Sequence, residues 1–489
     1  MLACAMPTPG PAGNMQQTRR AFAPTAGPRR DFSRRFFSRH STTRHATAGF
    51  LSGALIAAIG SSAAFAQTVA QAVAPPLDSL VAAAGARNPA IRAANARTDA
   101  AAARIGPAGA RPDPMLMAGV QNFPVSEPGF SDFMTMKMIG VSQTIPFPGK
   151  LSRRTEAAVQ EVEASRASAD VVRRAVERDV RSAYYDLAFT SRALDVVTRT
   201  QGILAGMIPV TEARYSAGGG TQADVLRLRV ETARLASEGA ALVEERRAVL
   251  ARLNALLDRP AETPVDDASI PQRIARAAVA DSGRQITFAS AALGARVMGS
   301  PLPPLDSLTA LALRTNPSLR EHEAMIAAQA ARAESARREY LPDFDISLQY
   351  GQRNGLSDMV TAIVSVPIPL QKRRKQNAET AASKAELGAL EAGHVNAVNE
   401  LRADIARLHG ALERDRTQLA LYVKAVLPQA RAALASASAG YQTGRGDFTS
   451  LIDTQATLFN HETEYYRTLT DFAKTLAELE QQVGTEVVK

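Results

Sequence analysis

The stretch Gly440-Tyr-Gln-Thr-Gly444-Arg-Gly446-Asp447-Phe-Thr-Ser450-Leu-Ile-Asp453-Thr-Gln-Ala-Thr-Leu-Phe-Asn460 lies between two long segments of helical pattern. Glycine tolerates the positive φ that ends a helix. Asp447 or Thr449 can cap the next one. The stretch therefore reads as a tight turn between antiparallel helices. It has an echo 226 residues earlier: Tyr215-Ser-Ala-Gly218-Gly219-Gly220-Thr221-Gln-Ala-Asp224 repeats the pattern Tyr-x-x-Gly-x-Gly. A repeated turn implies a repeated architecture.

Three further landmarks keep nearly the same spacing. Leu77-Asp-Ser-Leu80 with Asn88-Pro89 matches Leu305-Asp-Ser-Leu308 with Asn316-Pro317, 228 residues on. Pro112-Asp113 matches Pro342-Asp343 at 230, and Ile145-Pro146 matches Ile368-Pro369 at 223. Landmarks in one order at a near-constant offset indicate an internal duplication. The expected organisation is a leader over 1–66, a first repeat over 67–257, an irregular connector over 258–304 and a second repeat over 305–489. Prolines 260, 264, 271, 301, 303 and 304 make the connector irregular.

Each repeat follows one plan. An Ala-rich helix is punctuated by Asn-Pro. A β-like pair follows, about 115–123 with 133–145, and 344–352 with 359–368. Their length of roughly ten residues suits a tilted membrane strand, or equally a soluble hairpin. Prolines 146, 148, 367 and 369 close the pairs, and basic clusters come next: Lys150, Arg153 and Arg154, then Lys372, Arg373, Arg374 and Lys375. Very long helical patterns then cover about 152–215 and 375–441, with Pro209 and Pro428 expected to kink them near the turn. Return helices cover about 222–257 and 449–483. Apolar residues recur every seven positions: Leu228, Leu235, Leu242, Val249, Leu256; Val398, Ile405, Leu412, Leu419, Val426; Leu451, Leu458, Tyr465, Phe472, Leu479. Strict sevens indicate coiled-coil packing.

The leader carries Arg19, Arg20, Arg29, Arg30, Arg34, Arg35, Arg39 and Arg44 against Asp31 alone, then an apolar run over 46–59 and Ala64-Phe65-Ala66. That is the layout of a secretory signal peptide. It holds seven of the nine formal positive charges, so the remaining +2 gives no nucleic-acid footprint. The single cysteine, Cys4, lies in the leader, which leaves no disulfide and no Cys metal site. Gln67 stands where a lipoprotein needs cysteine. No apolar run of helical spanning length follows Ala66, so any membrane crossing falls to β-strands. No nucleophile elbow, phosphate-binding loop, dinucleotide fingerprint or zinc-protease helix is present, so no enzyme or cofactor is expected.

The plan, and in particular Arg214-Tyr215-x-x-Gly218-x5-Asp224-Val225, Gly440-Tyr441-x-x-Gly444-x6-Leu451-Ile452-Asp453-x4-Leu458-Phe459-Asn460, the strand ends Val141–Lys150 and Val364–Leu370, and the two Asn-Pro pairs, resembles the TolC family of outer-membrane efflux channels. The resemblance covers 77–485. It implies an α+β membrane protein: a homotrimer giving four β-strands per chain to a shared outer-membrane β-barrel, with long coiled-coil helices forming a periplasmic tunnel. It implies a periplasmic adaptor at the tip, an inner-membrane pump of the RND class, and contact with outer-membrane lipid. Phe147-Pro-Gly-Lys150 and the Gly-rich first turn are most similar to the heavy-metal branch, so heavy-metal cations are the expected cargo. A type I protein-secretion duct shares the fold. A periplasmic coiled-coil adaptor, which usually has one hairpin with β-rich domains, is the competing soluble reading.

The resemblance places function at the tips. Asp224 matches the family's first-turn acid and Asp453 the acid after the second turn. Ser450 departs from the acid common there, with Asp447 and Arg445 nearby. Three copies of a carboxylate around an axis would repel one another and attract cations. Tyr215, Gly218, Gly220, Thr221, Tyr441, Gly444 and Gly446 are the expected adaptor-contact turns. Met115, Met117, Met134, Met136 and Met138 crowd the first strand pair. Thioethers suit Cu(I), but residues 134, 136 and 138 alternate on one strand face, where packing against lipid or a neighbour accounts for them. His322, His394, His409 and His461 are scattered on helices without ligand spacing.

Overall fold

A computed structural model describes residues 77–126, 128–265, 268–279, 302–368 and 370–488. The expected signal peptide and part of the connector lie outside these. The series of elements runs twice. First come α1 (Leu77–Arg87), α2 (Pro89–Ala103), α3 (Ile105–Gly109), β1 (Met115–Gln121), β2 (Met136–Ile145), α4 (Lys150–Ser216) and α5 (Gln222–Leu256). After α6 (Gln272–Val279) come α7 (Leu305–Thr315), α8 (Pro317–Arg338), β3 (Phe344–Arg353), β4 (Met359–Ser365), α9 (Gln376–Leu421), a π-helical turn (Tyr422–Val426), α10 (Leu427–Gln442) and α11 (Phe448–Val483).

The Asn-Pro pairs do the same work in both series. Proline at the first helical position needs no partner for a missing N–H, and the asparagine before it caps the helix. The Asn88 side chain accepts from the Ala90 N–H at 2.9 Å and donates to the Leu256 carbonyl at 2.9 Å. Asn316 accepts from the Leu319 N–H at 3.0 Å and donates to the Gln482 carbonyl at 2.7 Å. Both asparagines are buried. Each clasps the start of its series to the end of its return helix.

α4 has 67 residues, about 100 Å at 1.5 Å per residue. Pro209 sits inside it without a break. Pro428 differs. The π turn immediately before it widens the helix where the ring would strike the carbonyl four residues back. The seven-residue stripes point inward: Leu228, Leu235, Ile405, Leu412, Leu419, Leu451, Leu458, Phe472 and Leu479 are all buried. The connector is less irregular than its prolines suggest. α6 lies within it, started at Pro271, and buries Ile274, Ala277 and Ala278 in the main core.

The strands form one antiparallel sheet in the order β1-β2-β3-β4. β2 begins at Met136, later than the pattern suggested. The Asp132 carboxylate accepts the Met134 N–H at 2.9 Å and holds Phe133 and Met134 in a turn. The register sorts the side chains into two unlike faces. One carries Leu116, Ala118, Val120, Ile139, Val141, Ile145, Phe344, Ile346, Leu348, Tyr350, Val360, Ala362 and Val364, with Lys137, Gln143 and Gln352 among them. The other carries Gln121, Ser142, Thr144, Asp345, Ser347, Gln349, Arg353, Thr361 and Ser365, with Ile363, glycines and methionines. The edge strands β1 and β4 are exposed on both faces, and on the central strands the apolar face is the bare one: Leu348 is 56% exposed and Ile139 53%. On β2 and β3 the residues Met138, Gly140, Ser142, Ser347, Gln349 and Gly351 are more sheltered than Ile139, Val141, Ile346, Leu348 and Tyr350. The sheet thus curls toward its polar side.

A charged knot joins sheet to helices. Lys150, at the start of α4, is 3% exposed and meets Glu339 at 3.1 Å and Asp343 at 2.8 Å, beside the entry to β3. Arg154 also reaches Glu339, and the Phe147 N–H donates to Asp343 at 2.9 Å. Burial alone would raise the Asp343 pKa, but the Lys150 ammonium and the Phe147 N–H outweigh it and hold the carboxyl below its ordinary value. A depressed carboxyl stabilises the fold above its unfolded pKa of 3.8, and that contribution is lost as pH falls through the folded value. Lys150→Ala leaves two carboxylates without their shared cation and is expected to cost about 3 kcal/mol. Thermal unfolding followed by circular dichroism measures it, and Asp343→Asn should remove the part of stability that disappears below pH 4.

Candidate functional site

The hairpin tips bring the two glycine turns together. Gly218 and Gly444 take positive φ, 72° and 77°, the backbone expected where a helix ends. Gly446 is required for a different reason. A Cβ there would lie 2.7 Å from the Tyr441 backbone nitrogen and 2.8 Å from the Gly440 carbonyl carbon. Gly220 has neither constraint. Arg214, at the end of α4, ties the turns to each other. Its guanidinium donates to the Tyr441 carbonyl and, at 3.1 Å, to the Gly219 carbonyl, and stacks 4.4 Å above the Tyr441 ring. Tyr441 is 4% exposed, packs on Phe448 and donates to Thr211 at 3.3 Å. It is a core residue between the hairpins and presents no docking surface. Tyr215, Gly218, Thr221, Gly444 and Arg445 are on the outside.

The three acids have different duties. Asp224 closes a capping box: its backbone N–H donates to the Thr221 hydroxyl at 3.2 Å, and its carboxylate accepts the Thr221 N–H at 2.9 Å. Asp447 caps α11 by accepting the Ser450 N–H at 3.3 Å. Asp453 is not used in this way. It is exposed on α11 and faces Arg227 of α5 at 3.6 Å, while Arg227 also donates to Thr449 at 3.2 Å. Asp453 and Arg227 therefore form a second link between the two hairpins, at the surface.

The outer membrane efflux protein family matches residues 80–258 and 308–485, each segment holding one series of elements. The chain belongs to that family, the family of TolC. Its fold is shared with VceC from Vibrio cholerae (17% identity over 84% of this chain and 96% of that one, TM-score 0.66). CusC (16%, 84% and 93%, 0.68) and the open state of MtrE from Neisseria gonorrhoeae (18%, 85% and 90%, 0.66) are similarly alike. At these identities the likeness is one of fold. No curated protein sequence matches. The efflux proteins it belongs with are outer-membrane channels with a helical periplasmic part.

Other expected sites resolve less sharply. Among the described residues no group of three His, Cys, Asp or Glu could hold a metal. Two of the four helical histidines, His322 and His394, do come together, with ring centroids 6.3 Å apart. Among the described residues no helix is long and apolar enough to cross a membrane. The roles of Arg214 and Arg227 escape sequence reading because their partners lie more than 200 residues away. Asp224 was more open to it, since Thr221-x-x-Asp224 has the spacing of a capping box.

These duties separate the acids experimentally. Asp447→Ala is expected to lower stability by about 1 kcal/mol and to leave single-channel conductance unchanged. Asp453→Ala is expected to alter conductance and cation selectivity in planar bilayers with little effect on the unfolding temperature. Both are read on the same purified protein.

Proposed function

We propose that this chain is the outer-membrane component of a tripartite efflux system, working as a homotrimer that carries small solutes, heavy-metal cations among them, to the exterior. One observation carries the reading: a sheet whose apolar face is bare and whose polar face is sheltered on its two central strands. A water-soluble sheet does the opposite. A wall between lipid and an aqueous lumen needs this arrangement. β2 and β3 have ten residues each, about 33 Å of extended chain, enough for a tilted span.

Assembly follows from hydrogen bonding. β1 and β4 are the sheet edges, and lipid does not tolerate unpaired backbone groups. β1 and β4 run in opposite directions, because three antiparallel pairings separate them. β4 of one copy can therefore continue antiparallel onto β1 of the next. Three copies give a closed barrel of twelve strands, with the long helices as a tunnel on the periplasmic side. The exposed turn residues Tyr215, Gly218, Thr221, Gly444 and Arg445 would then meet a periplasmic adaptor, and an RND-class pump would supply the cargo. Asp453 and Arg227 would set the width of the opening, with Asp224 adding charge beside it, and Asp447 would only cap α11. The leader read from Arg19 to Ala66 would deliver the chain for export.

Cell fractionation tests the placement. The expected result is a heat-modifiable trimer in outer membranes; recovery as a monomer in the soluble periplasm contradicts the reading. Gene deletion tests the cargo. Raised sensitivity to copper, silver, zinc or cobalt is expected, and unchanged tolerance to all of them removes the heavy-metal part.

A further inference from the structure

Every methionine in the four strands lies on the polar face. Met115 and Met117 on β1, Met136 and Met138 on β2, and Met359 on β4 share it with Gln, Ser, Thr, Asp, Arg and one branched apolar residue, Ile363, while the apolar face has no methionine. Methionine used as a plain apolar filler would be expected among the leucines and valines of the other face. Its confinement to the polar face needs another explanation.

The neighbours of these methionines are glycines. Gly351 on β3 is the cross-strand partner of both Met138 and Met359. A Cβ on Gly351 would lie 3.4 Å from the Met136 sulfur. Met138 and Met359 thus flank, and the Met136 sulfur abuts, a position with no side chain of its own. Met117 opposes Gly140, and Met138 opposes Gly119, which puts Met117 diagonally beside Met138. The Cα atoms of Met138 and Met359 are two strand spacings apart, about 10 Å. Methionine has three rotatable bonds, so both side chains can reach across the glycine. The one cation beside the group, Arg353, is the partner of Met136. Its guanidinium is drawn off to the Ser357 carbonyl, at 2.9 and 2.7 Å, in the β3–β4 turn.

The geometry points to a thioether site for soft monovalent cations, Cu(I) or Ag(I), made by Met136, Met138 and Met359 over Gly351, with Met117 at its margin. The proposal rests on the channel reading, which turns this face toward the lumen. Thioethers are neutral and soft. They take Cu(I) and its like and leave hard divalent cations and protons alone. They also bind without a thiolate or imidazole, and sites on a conduction path must release what they capture. Three copies around the lumen would give a ring of such sites, through which a soft cation passes by exchange between thioethers.

The test uses the full chain purified from membranes, with Ag(I) in chloride-free nitrate buffer as the probe. Leucine conserves the volume of methionine without its sulfur, so the comparison is with the triple variant Met136→Leu, Met138→Leu, Met359→Leu. Titration calorimetry should show Ag(I) binding in the unsubstituted protein and at least tenfold weaker binding in the variant. X-ray absorption at the silver edge should show sulfur neighbours. Equal affinity in the two proteins, or a shell of nitrogen and oxygen only, overturns the proposal. Planar-bilayer conductance without silver separates the site from the channel itself. The variant is expected to conduct as the parent does, with silver blocking the parent alone. Failure of both proteins to conduct contradicts the channel reading, whatever the calorimetry gives.

Discussion

The structure depends on one inversion. The sheet presents leucine, isoleucine and valine outward and, on its two central strands, shelters serine, threonine and glutamine within its curl. In water the bare face would lose the burial that holds other sheets together, about 25 cal/mol for each Å² of apolar surface left wet. Against hydrocarbon the same face costs nothing, and the polar face must then look onto water. Two consequences follow for the rest of the chain. The strands need neighbours at both open edges. The helices must form a body that is stable without covering the sheet.

The helical body meets the second demand through narrow seams and long-range clasps. The seven-residue stripes bury one line along α5, α9 and α11 and leave much of the remaining surface polar or small, with scattered exposed apolar residues such as Leu226, Val230 and Val395. At one end Asn88 and Asn316 fasten each return helix to the start of its own series. At the other, Arg214 fastens one turn to the other through the Tyr441 and Gly219 carbonyls. Lys150, held between Glu339 and Asp343, connects this body to the strands. Duplication makes the economy visible: the same Asn-Pro cap carries the same clasp in both series.

Much of this was written plainly in the sequence. The Asn-Pro caps, the two glycine turns and the stripes of seven are local signals. They mark helix starts, helix ends and seams within a few residues of themselves. What the sequence withheld depends on pairing at a distance. Met136 and Met138 alternate in sequence, but which face they share is decided by their register against Gly351 and Gly119. Tyr441 looked like an exposed turn residue until Phe448 and Thr211 closed over it. Asp447 and Asp453 are equally acidic on paper. Only the Ser450 N–H beside one and Arg227 beside the other distinguish a cap from a surface link. Pro209 and Pro428 stand alike near a turn, yet only the second is preceded by a π turn.

The inversion itself can be measured directly by labelling. The only cysteine is Cys4, within the expected leader, so single cysteines can be placed along the strands of the assembled protein in lipid. A fluorophore at position 141, 348 or 364 should be quenched by lipid-borne spin labels and protected from a water-soluble quencher. A fluorophore at 142, 349 or 361 should behave in the opposite way. Period-two alternation of this sense is the predicted result. Equal access of the water-soluble quencher to both sets would contradict the account.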